Sequence, residues 1–235
     1  MNSMQPLRVT ATLLNGIAHA TPWTVSLDGI LAAQIWQAHK RLHPSEHSAL
    51  EEPDPPDLDL PLARCTIPGR WWHWAATCGW PDPAPTDPEI RHWGTRLDHR
   101  HTEHTATALP QHLPDSKGRW KAFWMPLPVT VTTSLTWHAV GDQQRISELL
   151  EGIWSIGKKR SQGEGRVLRW DVRAAADIDP FTAAHLSPTG ALARPCPPAC
   201  LSDRHITDGG PGYAAVRPPH MHSSRRTDVR LPATW

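Results

Sequence analysis

Residues 156–167 read Ile156-Gly157-Lys158-Lys159-Arg160-Ser161-Gln162-Gly163-Glu164-Gly165-Arg166-Val167, and this stretch constrains the chain more than any other. Before it, Ile146, Leu149, Leu150, Ile153 and Trp154 recur at helical spacing, which predicts a helix from Asp142 to Ser155. After it, Leu168, Trp170 and Val172 alternate with Arg169 and Asp171, the period of a half-buried strand. The order is therefore helix, glycine-rich basic loop, strand. Three glycines in nine residues permit positive φ and a backbone approach that a Cβ would block. Three consecutive cations beside such a backbone suit phosphate oxygens. A nucleotide-binding P-loop is a different object, because it follows a strand and opens a helix. A plainer reading makes Gly157 a helix C-cap, with the cations complementing the helix dipole. The two further glycines and the triple cation favour anion binding instead.

The charge distribution agrees. A net charge of +1 gives no global basic field. Residues 117–173 nevertheless carry ten Lys or Arg against five Asp or Glu, whereas residues 46–59 carry six acids and neither Lys nor Arg. Such asymmetry marks an anion-binding face better than the overall pI does. The sequence shows no apolar run of 18 residues and no signal-like start, so a cytoplasmic protein outside the membrane is expected. Four cysteines fit reduced thiols in that compartment.

Along the chain, Leu7, Val9, Ala11 and Leu13 alternate with polar residues and predict a first strand, which Asn15-Gly16 ends. Ser26 or Asp28 caps a helix with Leu27, Ile30, Leu31, Ile35, Ala38 and Leu42 on its apolar face, and Pro44 stops it. The acidic, proline-containing segment 51–61 reads as a solvated loop. Residues 62–125 lack clear periodicity and read as an inserted lobe or hairpin. Val129, Val131, Thr133, Leu135, Trp137 and Ala139 then alternate as one long strand. Residues 174–235 contain so many prolines that a tail wrapping the surface, with little regular structure, is expected. The whole of 1–235 is thus expected to be one α+β domain. Its predicted core is a ferredoxin-like βαββαβ unit, with one edge strand hidden in the insertion.

A glycine-rich loop before the last strand of such a sheet resembles the RAMP superfamily of CRISPR-associated RNA-binding proteins. Further patches occur in the same order. Leu7-Arg8-Val9-Thr10-Ala11 is followed by Leu27-Asp28-Gly29-Ile30-Leu31 and Leu60-Pro61-Leu62-Ala63. Lys117-Gly118-Arg119-Trp120-Lys121-Ala122-Phe123, Met125-Pro126-Leu127 and Gly141-Asp142 then lead to Ile156-Gly157-Lys158-Lys159-Arg160. Arg194-Pro195-Cys196-Pro197 and Arg217-Pro218-Pro219-His220 lie in the tail. This succession is similar to the small RAMP subunit of type IV CRISPR effector complexes, which caps the guide-RNA 5′ handle. Glu164 stands where that resemblance leads one to expect an aromatic or small residue. The resemblance implies a non-catalytic subunit without cofactor or metal. Its implied partners are guide RNA, RAMP backbone subunits and a large-subunit homologue, with target DNA reached only indirectly and no membrane contact.

Single-stranded RNA is held through phosphates, 2′-hydroxyls and bases stacked on aromatic planes. The expected RNA-binding residues are Gly157, Lys158, Lys159, Arg160, Gly163, Gly165 and Arg166 in the loop. Lys117, Arg119, Trp120 and Lys121 extend the set as a cation–aromatic alternation, although the same patch also reads as an exposed strand with an inward Trp. Trp71, Trp72 and Trp74 are expected to pack a lobe rather than stack bases.

Two other functions compete. A RAMP-type endoribonuclease needs a positioned base. His19 follows the first strand, but no acid, lysine or tyrosine at recognisable spacing completes a constellation around it. His92, His99, His101, His104 and His112 read as a solvated loop. The other is a His/Cys metal-binding module, but Cys196 and Cys200, or Cys65 and Cys78, do not make the paired short spacing of a structural zinc site. His99, His101 and His104 fit neither a helix face nor a strand face.

Overall fold

A computed structural model of the chain describes residues 4–21, 23, 25–43, 52–66, 71–85, 89–95, 104, 121–201 and 204–233. Strand β1 (Gln5–Leu13) buries Val9, Ala11 and Leu13 together with Leu7 on one face, as its alternation predicts. Gly16 turns it into the short β2 (Ile17–Ala18). Helix α1 (Leu27–Leu42) begins where the Ser26 hydroxyl accepts from the Gly29 N–H, and places His39, Lys40 and Arg41 at its negative end. There follow β3 (Arg64–Thr66), β4 (Trp72–Trp74), β5 (Trp80–Asp82), β6 (Glu89–Thr95), β7 (Phe123–Thr130) and β8 (Ser134–Gly141). Helix α2 (Gln143–Glu151), β9 (Val167–Ala174), α3 (Pro180–His185), β10 (Pro211–Ala215) and β11 (Arg226–Arg230) complete the chain.

The molecule is α+β. Its main sheet is antiparallel, in the order β5-β8-β1-β9. Leu27 and Leu31 of α1 and Ile146 and Leu150 of α2 pack into one core with Leu7, Val9 and Trp137 of the sheet. Trp137 is fully buried, and its indole N–H donates to the Val25 carbonyl at 2.8 Å, which satisfies its one polar atom. Among the described residues there are three smaller sheets: β2-β7-β6, the β3-β4 hairpin and the β10-β11 hairpin. No helix among the described residues is long and apolar enough to cross a membrane.

Four local expectations are corrected. The long strand expected over 129–139 is two strands belonging to different sheets, broken at 131–133. There the Thr132 hydroxyl donates to the Ser134 carbonyl at 2.9 Å, a local bond that competes with the ladder and lets the chain change sheets. The helix expected to reach Ser155 ends at Glu151, because Gly152 closes it. Leu168 faces outward: the register of β9 against β1 slips between Thr12 and Leu13, pairing Leu13 with Val167. The tail carries more regular structure than its prolines suggested. Pro180 occupies the first turn of α3, Pro198 opens a 3₁₀ turn and Pro211 opens β10, all positions that proline tolerates.

Described parts of residues 62–125 join the main fold. β5 forms an edge of the main sheet, and Trp74 belongs to the main core. Trp72 meets Trp74 edge-on at 5.0 Å, with the Arg64 and Arg217 guanidinium groups over the Trp72 ring at 4.3 and 4.5 Å, so these two tryptophans are packing residues, but of the main core rather than of a separate lobe.

Candidate nucleic-acid interface

The loop is a closed excursion from the end of α2. Ser155 and Arg166 form a β-bridge, the Ile156 N–H donates to the Gly165 carbonyl at 2.9 Å, and the Val167 N–H donates to Trp154 at 2.8 Å. Within it, Gly157, Lys159, Gly163 and Gly165 all adopt positive φ, and Arg160–Gln162 make one 3₁₀ turn. Because α2 has already ended at Gly152, Gly157 is not its cap.

The close approaches that the glycines permit are to the chain's own backbone. A Cβ on Gly157 would stand 2.5 Å from the Ala18 carbonyl oxygen, and one on Gly165 would collide with that of Ile156. The Lys158 N–H donates to Ala18 at 2.7 Å and the Gly165 N–H to Gly16 at 3.2 Å. These bonds press the loop onto the β1–β2 turn, so at these two positions the amides serve the loop's own fold. Gly163 has open space around it, and only its φ of 90° calls for glycine.

Glu164, the residue that departs from the resemblance, is buried and acts as an anchor. Arg91 of β6 donates to its carboxylate at 2.8 Å, and also to the Asn15 carbonyl at 3.1 Å and to Glu89 at 3.1 Å. One guanidinium therefore ties together the loop, the β1–β2 turn and the β6–β7 hairpin. The cations are then presented outward. Lys158, Arg160 and Arg166 are exposed, and the Lys159 ammonium lies over the Trp93 ring.

Two depressions flank the loop. An open cleft of about 760 Å³ lies between it and α1 and is lined by His19, Gly29, Trp154, Lys158, Arg160 and His220. A groove of about 290 Å³ separates it from the β6–β7 hairpin and is lined by Trp93, Met125, Pro126, Lys158 and Lys159. Trp154 in the cleft is 73% exposed, and Trp124 on the hairpin is 72% exposed and stacks on His92. Trp154 shares the cleft with Lys158 and Arg160, a combination of aromatic plane and cations that can stack a base while holding phosphates.

Two histidines line the cleft. His19 shares a 2.7 Å hydrogen bond with the Thr130 hydroxyl, and burial, followed by the nearby Lys158 charge, lowers its pKa. His220 Nε2 lies 3.1 Å from the Ser26 hydroxyl and 3.4 Å from the Asp28 carboxylate. Asp28 is fully buried. Burial alone would push its carboxyl up, but the His220 ring and the Arg194 guanidinium outweigh burial and hold it well below the usual carboxylate range.

Of the residues expected to bind RNA, those of 157–166 share this loop, and Lys121 is exposed just ahead of β7. Lys117, Arg119 and Trp120 lie outside the described residues, as do His99, His101 and His112. Sequence reasoning missed Arg91, Trp93 and His220. The alternation Arg91-His92-Trp93 was the available signal for the first two. His220 stood in a proline-rich segment that gave no local clue to its place beside α1. No protein-family model and no curated protein matches the chain.

Proposed function

We propose that the chain binds single-stranded RNA across the 156–166 loop, as the small RAMP subunit that caps the guide-RNA 5′ handle of a type IV CRISPR ribonucleoprotein. It does so as a non-catalytic scaffold, alongside RAMP backbone subunits and a large-subunit homologue. The observation that carries this reading is the loop's place as a wall between two grooves. Lys158 lines both, Arg160 the cleft and Lys159 the hairpin side, so a strand crossing the wall meets all three cations. The sheet supports the fold part of the reading. With α1 between β1 and β5, and α2 between β8 and β9, we read the antiparallel order β5-β8-β1-β9 as a ferredoxin-like βαββαβ arrangement.

The test is RNA affinity across a salt series. Replacing Lys158, Lys159 and Arg160 together by alanine removes about three phosphate contacts and lowers the magnitude of the log-affinity-versus-log-salt slope by about two for a single strand. The protein stays folded by circular dichroism, because these side chains are outside the core. A folded variant with unchanged affinity and slope overturns the reading. Sequencing the RNA that co-purifies with the protein and its neighbouring gene products tests the handle assignment.

One observation favours a second reading, a RAMP-type endoribonuclease that processes precursor guide RNA: His19, His220 and Lys158 line the same cleft, and the carboxylate of Asp28 backs His220. The scaffold reading expects a labelled precursor RNA to remain intact. Cleavage that disappears in both His19→Ala and His220→Ala selects the nuclease.

A further inference from the structure

Four side chains from distant parts of the chain point one ligand atom each at a common centre. Cys65 comes from β3, His73 from β4, His185 from the end of α3 and Cys200 from the 3₁₀ turn Pro198–Leu201. The four atoms lie within 4.8 Å of one another. Cys200 Sγ stands 3.4 Å from Cys65 Sγ, 3.4 Å from His73 Nε2 and 3.1 Å from His185 Nε2, and Cys65 Sγ stands 3.7 Å from His185 Nε2. A tetrahedron with zinc–sulfur bonds of about 2.3 Å and zinc–nitrogen bonds of about 2.0–2.1 Å has edges of roughly 3.3–3.8 Å. Four of the six spacings, 3.1–3.7 Å, match those edges to within a few tenths of an ångström, and all six lie within 4.8 Å.

The surroundings orient the two imidazoles for ligation. His73 Nδ1 faces the Trp74 carbonyl at 2.9 Å and His185 Nδ1 faces the Phe181 carbonyl at 2.8 Å. An Nδ1–H donated to a carbonyl leaves the Nε2 lone pair free, and both lone pairs point at the thiols. The rings are held by packing: His73 and His185 meet edge-on at 5.1 Å, and Phe181 stacks on His185 at 4.4 Å. His73 and His185 are buried, and the two cysteines are half-buried.

We infer that Cys65, His73, His185 and Cys200 form a structural Cys₂His₂ site for a divalent zinc ion. Binding releases the two thiol protons, so Zn²⁺, two thiolates and two neutral imidazoles make an uncharged centre suited to burial. Four protein ligands leave no open position, so the ion joins segments and does no chemistry. It clamps the 3₁₀ turn Pro198–Leu201 and α3, both in the tail, to the β3-β4 hairpin. The sequence conceals the site because its ligands are not two short-spaced pairs: Cys65 pairs in space with Cys200, while Cys78 donates to the Trp23 carbonyl instead. Cys196 is the neighbouring thiol, 3.9 Å from His73 Nε2.

The test uses the full chain produced in zinc-supplemented medium. Elemental analysis should find one zinc per chain, and Co²⁺ exchanged into the site should show the intense visible bands of tetrahedral sulfur–nitrogen ligation. Removing the ion with a chelator should lower the thermal midpoint. Cys200→Ser should abolish the cobalt bands, while Cys78→Ser should keep them. If Cys200→Ser does not fold, the wild-type metal content and cobalt spectrum decide the matter alone. A folded wild-type chain without stoichiometric zinc and without cobalt bands overturns the inference, as does a Cys65–Cys200 disulfide in the intact mass. Bands that survive Cys200→Ser but vanish in Cys196→Ser overturn the assignment of Cys200.

Discussion

Arg91 and Glu164 are 73 residues apart in sequence, yet their ion pair sets how the basic loop is displayed. Glu164 is nearly buried and Arg91 three-quarters so, which lifts the pair above the small value of an exposed salt bridge. Replacing Glu164 by alanine leaves a part-buried Arg91 N–H without its acceptor and should cost about 1–2 kcal/mol in urea denaturation. On the proposed function RNA affinity should fall with it, because the loop loses its Glu164 attachment to the hairpin. The salt slope should hold, since Lys158, Lys159 and Arg160 keep their charges. A slope that falls as far as in the triple-alanine protein would show that Glu164 does not act through loop placement.

At the scale of the element, the loop's glycines are not equivalent. Gly165 has both a φ of 65° and the Ile156 carbonyl where a Cβ would go, whereas Gly163 has only its φ of 90° to maintain. Gly163→Ala should therefore cost about 1–2 kcal/mol, the strain of a left-handed alanine. Gly165→Ala should cost clearly more, because the Ile156–Gly165 closure must open as well. Denaturant midpoints of the two single variants check the order, and equal losses would mean that the closure contributes nothing. The same comparison separates fold from binding, since Gly163 stands in the open part of the loop.

Over the whole molecule, the tail is joined to the core by buried charge. Arg194, 3% exposed, donates to the carbonyls of Trp74, Ala76 and Val216 and lies 3.7 Å from Asp28 on α1. Arg217 and Arg225 reach Asp57 at 3.1 and 3.2 Å, so part of the acidic segment pairs with the tail. The depressed carboxyl of Asp28 gives this arrangement a pH dependence. Folded Asp28 takes up its proton at lower pH than the unfolded chain does. Its stabilisation is therefore complete above about pH 4, the ordinary carboxyl value, and is lost as pH falls below that towards the folded pKa. Asp28→Asn should lower stability at neutral pH by about 3–5 kcal/mol, because Arg194 then stays buried without its counter-charge. It should also flatten the decline of the urea midpoint below pH 4. An acid limb of unchanged steepness in the variant would assign the decline to other carboxylates.

The sequence by itself determined what depends on neighbours a few residues away. The faces of β1 and α1, the Ser26 cap, and the helix–loop–strand order around Gly157 follow from period and capping, which act within one or two turns. Tertiary structure decided whatever depended on a partner far along the chain. It broke the 129–139 run where the strand changes sheets, and it turned Leu168 outward through a register slip against β1. It also spent the close approaches of Gly157 and Gly165 on the chain's own carbonyls. Arg91 with Glu164, Asp28 with Arg194, and Cys65 with Cys200 are pairs that no local pattern encodes. Their spacing in sequence is set by the length of the intervening chain, and their spacing in space by how the sheet, the hairpins and the tail pack. For that physical reason the basic loop was legible from its own residues, while its anchor and the four-ligand cluster became visible only in the folded chain.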